Sequence, residues 1–387
     1  MPLSAAGGGG VFAIFRTDQH HLGAATTSDP TGATGWSASH AASFWDATPA
    51  AAALSAFLRN PRGPITVRRM TGGRWLMLWY NSGGGADMFF ERNPYWLSIG
   101  VENAARREIL FSQPEIFLYD ALHQGDGENG TISDRPGYPD IVVDENARSV
   151  ACPTCTVFVT ETNKTVARTH GIPSDFLNAL LAQDTIATAT TAGVTLTFNV
   201  TSFGTRFKTP IITPFSPVGS FQAGFTVEFW LDRWTGGNDV VIGQTLVDTR
   251  APSSGAGFII TVSAPLNGGT GVTLSFLIRD DVGTTANLTL DGKCASLVGG
   301  AAALHHVVFT IDAAAHIALA VVDGFVCDGG LDKWKGWTWI SNKMSSVTAN
   351  DSFIWGGDYG GNLVGGRWYN RAISVTESIG NQRAGPP

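Results

Sequence analysis

From residue 194 onward the apolar runs alternate with a period of two and end in turn residues. GVTLTFNV, FTVEFWLDRW, DVVIGQTLVD, GFIITVSA, VTLSFLIRD, HHVVFTID, HIALAVVDG and WTWIS follow one another in this way. Side chains on a strand point alternately to its two faces, so this pattern suits a sheet with one buried face and not a helix. Antiparallel strands with one face on the core and turns between them make a β-sandwich. The first part of the chain carries shorter runs of the same kind: VFAIFRT, HLGAATT, PITVRRM, RWLMLWYN, EILFSQPEIFLYD, PDIVVDE and TVFVTET. Between the two sets, SDFLNALLAQ places Phe176, Leu177, Leu180 and Leu181 at helical spacing behind Ser174 as N-cap, and the Thr/Ala-rich linker DTIATATTAG follows. The expected organisation is all-β: one domain over 1–173, a helix and linker over 174–193, and an antiparallel sandwich over 194–387.

Composition agrees and excludes several functions. The 387 residues include 47 Gly, 18 Pro and 22 Phe, with only 15% charged, and the mean hydropathy is +0.07. A single core stops growing near ~250–300 residues, so the length accommodates two. The net charge of −7 argues against a nucleic-acid partner, because phosphate binding needs a clustered basic surface that no segment supplies. No apolar run reaches the ~18 residues of a membrane helix. Asn129-Gly-Thr, Asn163-Lys-Thr, Asn199-Val-Thr, Asn287-Leu-Thr and Asn350-Asp-Ser are glycosylation acceptor triplets, and the cysteine count is even, both compatible with secretion. Such triplets also arise by chance in a Thr-rich chain. MPLSAAGGGG has neither a basic nor an apolar leader segment, so no signal peptide is visible. A secreted or extracellular protein whose start lies upstream of Met1 is the expectation.

The stretch TTSDPTGATGW bears on the family. Thr27, Ser28, Asp29, Gly32, Thr34 and Trp36 resemble the Asp-box of sialidase-like propellers. In that turn an Asp accepts backbone and hydroxyl hydrogen bonds, a Gly takes positive φ, and the Trp packs beneath the hairpin. It is expected to staple a blade, not to form a site. The succession FRTDQHHLG, the box, RNPRGPITVRRMTGGRWLMLWYN, RNPYWLSIG, SQPEIFLYD, RPGYPDIVVDE and VFVTETNKTVARTH is similar to the BNR-type sialidase family over residues 11 to about 173. A blade takes ~40–50 residues and six need ~250–300. The resemblance therefore implies an incomplete propeller lacking its first blades, with an unpaired strand edge. From about residue 194, FTVEFWLDRW, HHVVFTIDAAAHIALAVVDG and GGRWYNRAISVTESI look like a laminin-G or concanavalin A-like jelly roll.

The sialidase resemblance implies the site residues. Such enzymes pair a nucleophilic tyrosine with a glutamate, because a carboxylate nucleophile would be repelled by the substrate's own carboxylate, and they grip that carboxylate with arginines. Tyr138 stands where the tyrosine is expected, and Glu161 and Glu115 are the candidate acids, with Asp140 behind them. Arg16 and Arg92, with Asp18 and the weaker Arg62, would bind substrate. Arg16, Arg92, Glu115, Tyr138 and Glu161 should converge on one face of the propeller, with the Tyr138 hydroxyl on Glu161 or Glu115. The alternative for each is structural: a strand-start tyrosine, or arginines paired with acids of a neighbouring blade. His20 and His21, on the loop after Arg16, would touch a ligand or simply be solvated.

Metal and cofactor chemistry have little support. Cys152-Pro-Thr-Cys155 has no second pair, so a local disulfide or two idle thiols fit better than zinc. Cys294 and Cys327 are expected to form a disulfide across the jelly roll. No phosphate-cradling Gly loop and no G-x-S-x-G motif is present. Trp334, Trp337 and Trp339 in DKWKGWTW are either a sugar-stacking platform or core. Two functions remain open. One is an exo-acting, sialidase-like glycoside hydrolase with a lectin-like module. The other is a non-catalytic glycan-binding or adhesion protein on the same scaffold. The expected partner in either case is a glycan or oligosaccharide, acidic where arginines recognise it, with no cofactor.

Overall fold

All strand ladders among the described residues are antiparallel, the pairing that runs with one buried face favour. The computed structural model describes residues 1–4, 8–18, 21–44, 58–60, 63–70, 72–81, 93–119, 138–144, 155–163, 166–202, 204–210, 224–232, 240–264, 272–290, 304–327 and 336–387. The chain divides into two units, one within residues 1–185 and one from residue 186 onward.

Among the described residues the first unit holds three sheets in chain order. β1 (Val11–Arg16), β2 (Leu22–Thr27) and β3 (His40–Ala41) form the first. β4 (Thr66–Arg69), β5 (Trp75–Trp79), β6 (Tyr95–Asn103), β7 (Glu108–Phe111) and β8 (Glu115–Leu118) form the second, in which the long β6 pairs with β5, β7 and β8. β9 (Tyr138–Val143), β10 (Val157–Asn163) and β11 (Val166–Gly171) form the third. Leu76, Leu78, Leu97 and Ile99 of the second sheet share a core with Ile141, Val157 and Val159 of the third, closed by Leu177 and Leu180 of α1 (Ser174–Leu181). The helix is where the apolar spacing puts it, but Ser174 is its first residue and not its cap. Pro173 holds the N-cap position and supplies no side-chain bond.

The turn after β2 is built on one carboxylate. Asp29 Oδ1 accepts from Thr31 N (2.9 Å) and Thr31 Oγ1 (2.7 Å). Oδ2 accepts from Ala33 N (3.1 Å), Thr34 N (3.0 Å) and Thr34 Oγ1 (3.1 Å). Gly32 takes a φ of 69°, which a β-carbon would disfavour. Trp36 donates its indole N–H to Gly32 O (3.0 Å). At 41% exposure it lies alongside the turn instead of being buried beneath the hairpin. The Thr31 hydroxyl, with the Thr31 amide and then Thr34, holds the Asp29 carboxyl down at about 2. Because the folded value is depressed, the stabilisation is complete above the ordinary 3.8 and is lost as pH falls through about 2. Asp29→Ala should raise amide exchange at Thr31, Ala33 and Thr34 roughly tenfold at neutral pH, read by NMR, while amides of β14 keep their rates.

The second unit is a sandwich. β12 (Val194–Asn199), β24 (Leu363–Tyr369), β14 (Phe225–Leu231), β19 (His305–Asp312), β20 (Ile317–Val322) and β21 (Phe325–Val326) lie side by side in that order, and β22 (Trp337–Trp339) also pairs with β20. The facing sheet runs β15 (Thr245–Asp248), β16 (Gly257–Ser263), β17 (Thr273–Arg279) and β18 (Thr285–Thr289). β13 (Arg206–Lys208) and β23 (Ser352–Ile354) form a separate ribbon. Val227, Phe229, Phe309, Ile311 and Ala320 face Phe258, Ile260, Leu274, Phe276 and Ile278 in one core. Its rings pack in series, with Phe276 against Phe309 at 5.2 Å and Phe198 stacked on Trp355 at 4.1 Å. Trp337 is buried and Trp339 half-buried. Both follow the register of Ile317 and Leu319, which puts them on the outer face of the larger sheet and not between the sheets. Trp334 lies outside the described residues.

That outer face carries a buried charged network. Glu228, with no exposure, accepts from His306 Nε2 (2.7 Å), Arg367 Nη1 (3.0 Å) and Tyr369 Oη (2.8 Å). Arg367 also lies over the Trp230 ring at 5.2 Å. A second helix, α2 (Val375–Ala384), covers this region: Asn381 donates to Tyr369 Oη (3.0 Å) and accepts from Thr190 N (2.6 Å). Gly380 lacks the β-carbon that would meet Thr188 O at 2.8 Å, so the segment after residue 185 runs close against the helix. The sequence reading names a helix only after Ser174 and misses α2. Its signal was present in Ser374-Val-Thr-Glu377, a reciprocal capping box. Burial by itself would raise the Glu228 carboxyl, but the His306 hydrogen bond and the charges of His306 and Arg367 outweigh it and hold the group below its usual range. The sign is that of a depressed acid: the stabilisation is full above 4.5 and disappears on acidification. Glu228→Ala, which strands Arg367, should lower the unfolding free energy by ~3–5 kcal/mol in urea at pH 7. The deficit should shrink below pH 4.

Cys155 and Cys327 are each disulfide-bonded, which excludes the idle-thiol reading of Cys155. Cys152 and Cys294 lie outside the described residues. Among the described residues no helix is long and apolar enough to cross a membrane.

Candidate functional site

The third sheet sorts the sequence candidates by face. Tyr138 pairs with Thr162, Pro139 with Glu161 and Asp140 with Thr160. Directly opposed residues share a face and consecutive ones do not. Tyr138, Asp140, Thr160 and Thr162 therefore line one face, while Ile141, Val159, Glu161, Arg168 and His170 line the other. The expected bond between the Tyr138 hydroxyl and Glu161 is not made, because the sheet itself separates them. Tyr138 is 62% exposed. Beside it, Asp140 Oδ1 accepts from Arg68 Nη2 of β4 (2.7 Å), and Thr66 Oγ1 donates to Pro139 O (2.9 Å), which fixes the edge of the second sheet against β9.

On the inner face Glu161 is only 4% exposed. Its Oε1 meets His170 Nε2 at 3.2 Å and Arg168 Nη1 at 3.7 Å, while Oε2 has no hydrogen-bond partner. An unsatisfied buried polar atom costs about 1–3 kcal/mol, and more when charged. A second incomplete group lies at the end of the second sheet where β5 stops and β6 begins. There Tyr80 and Tyr95 stack at 4.6 Å, and the Tyr80 hydroxyl donates to that of Tyr95 (2.6 Å). Trp79 Nε1 holds Arg59 O (3.0 Å), and the neighbouring Asn60, at 1% exposure, has neither amide atom hydrogen-bonded. β4 begins opposite the end of β5 and touches the start of β9, so Asn60, Tyr80 and Glu161 belong to the same end of the two sheets.

The other candidates are spread over the unit. Arg16 ends β1 and is exposed, as is Asp18 just beyond it, both on the first sheet. Glu115 is buried at the start of β8, paired with Leu97. His21 forms an isolated bridge with Arg59. Arg62, Arg92 and His20 lie outside the described residues. The sequence reading passed over Arg68, His170 and Asn60. Arg68 was visible as a charge within the strand run PITVRRM, whereas nothing local marks Asn60 as buried. No group of three or more metal-ligating side chains occurs among the described residues. A carboxylate kept for a ligand and not for the fold is dispensable to stability. Glu161→Leu should therefore leave the urea unfolding free energy unchanged or raise it by about 1 kcal/mol. A loss of ~3–5 kcal/mol, as for a broken buried pair, would mark it as structural.

No protein-family profile matches the chain, and no curated protein matches it. Among solved structures it is similar to the CBM40 of Ruminococcus gnavus IT-sialidase bound to alpha2,3 sialyllactose, at a TM-score of 0.31 and 11% identity over 48% of this chain and 98% of that one. It is also similar to the binding domain of Paraclostridial Mosquitocidal Protein 1, at 0.33 and 16% identity over 47% and 41%. A third is the botulinum neurotoxin serotype D ligand binding domain in complex with N-acetylneuraminic acid, at 0.33 and 14% identity over 51% and 51%. The chain spans about half or less of the length of these two toxin domains. Similarity at this level is too low to carry a functional argument.

Proposed function

We propose that the protein binds glycans, acidic ones in particular, on the outward face of the third sheet of its first unit. The observation that carries this reading is the exposed Tyr138 ring on a face that also presents Thr160, Thr162 and the Arg68–Asp140 pair. An aromatic face stacks on the C–H side of a sugar ring, while planar charged groups bond adjacent hydroxyls. The Arg68–Asp140 pair is half-exposed on both sides, so its mutual attraction is weak and either partner is available to a ligand. A guanidinium released in this way matches a sugar carboxylate in two-pronged geometry. Separation of Tyr138 from Glu161 favours binding over a phenol-nucleophile mechanism.

Glycoside hydrolysis is the second reading, favoured by the open Oε2 of buried Glu161 beside His170. On either reading we take the three successive sheets of the first unit as sialidase-like propeller blades and the second unit as a laminin-G or concanavalin A-like jelly roll.

Binding to sialylated and neutral oligosaccharides, measured by calorimetry, tests the proposal. Tyr138→Ala should weaken binding about tenfold or more, the equivalent of ~1.4 kcal/mol, and Tyr138→Phe should retain it. Arg68→Ala should weaken acidic ligands more than neutral ones. Unchanged affinity in Tyr138→Ala would refute this site, and hydrolysis lost in Tyr138→Phe would favour the enzyme.

A further inference from the structure

We infer that Asn199 and Asn287 carry N-linked glycans, each standing on an edge strand of the sandwich as the described residues define it. Both complete acceptor triplets, Asn199-Val-Thr201 and Asn287-Leu-Thr289, have an exposed asparagine. Their position in the topology is specific. β12, which ends at Asn199, begins the strand order of the larger sheet, and β18, which holds Asn287, ends that of the smaller one. Edge strands offer unpaired backbone groups to other chains, and soluble proteins obstruct them. A bulky hydrophilic glycan does so without altering the core.

Local geometry suits the modification. Asn199 Oδ1 accepts from Thr201 N (3.1 Å) and Thr201 Oγ1 (2.6 Å), bringing the triplet's hydroxyl onto the amide, while Nδ2 has no hydrogen bond among the described residues. Asn287 Oδ1 accepts from Ser275 Oγ (2.8 Å), and its Nδ2 makes only a long bond to Thr289 Oγ1 (3.3 Å). Asn350 contrasts with both: it is half-buried, and its backbone N–H is held by Thr249 O (2.7 Å). The disulfides at Cys155 and Cys327 point independently to an oxidising compartment, where such transfer occurs. In the reaction Asn Nδ2 attacks C1 of a lipid-linked oligosaccharide pyrophosphate. The N–C1 bond forms, the C1–O bond breaks, the lipid pyrophosphate leaves with the electron pair, and the amide proton passes to the transferase's base.

The test is expression of the full chain behind a secretion signal in a eukaryotic host, with site occupancy read by glycopeptide mass spectrometry on secreted and retained protein together. Glycans are expected at Asn199 and Asn287. Asn199→Gln and Thr201→Ala should each abolish the first and leave the second, and Asn287→Gln and Thr289→Ala the reverse. Enzymatic deglycosylation of the folded protein should raise its aggregation rate on warming about twofold or more. Unmodified Asn199 and Asn287 would overturn the assignment, and an unchanged aggregation rate would overturn the edge-protection role.

Discussion

The two-residue repeat of antiparallel strands governs what can meet in this protein. A shift of one residue in register exchanges the two faces of a strand, so the register that buries the core also decides which polar groups lie together. In β14 it sends Val227, Phe229 and Leu231 into the sandwich and Thr226, Glu228 and Trp230 to the outer face. Once Glu228 is on a face that α2 covers, it needs compensation, and register supplies it: Arg367 is directly opposite on β24, and His306 is opposite Trp230 on β19. Tyr369 then links this group through Asn381 to Thr190. A buried charged cluster adds little to stability by itself, but it admits few alternative arrangements of its members. The helix and the segment after residue 185 are tied to one sheet by it.

The same rule shapes the first unit. Tyr138 and Glu161 are one register step out of phase, so one goes to solvent and the other inward. The outward set joins the Tyr138 ring and Val142 to the polar Asp140, Thr160 and Thr162. The inward set ends in a carboxylate whose second oxygen the protein leaves open. Stability favours closing every buried polar group, so one left open calls for a reason of its own. Asn60 and Glu161 have this character at the same end of the sheets, whereas the Asp29 carboxylate, fully used by its own turn, does not.

Much of the fold was legible because strand runs and turn residues are local signals. The sandwich runs and the apolar face of α1 both read directly from the sequence. The helix α2 escaped because Thr376, Gly380 and Asn381 break any apolar stripe; its capping box was the only mark it left. The site was less legible. Candidate residues were chosen by motif order, and motif order says nothing of parity between strands. That is why Tyr138 and Glu161 were expected to meet. Arg68 is visible as a charge in its strand run, but its partner is not, since the pairing arises from the contact of β4 with β9, more than seventy residues away.

The most direct measurement is a crystal structure of the protein with a bound sialylated oligosaccharide. The expected result is a sugar ring against the Tyr138 face, with hydroxyl or carboxylate oxygens on Arg68 and Asp140 and no covalent bond to the phenol. A ligand bound elsewhere with Tyr138 untouched, or one joined covalently to the Tyr138 oxygen, would contradict it.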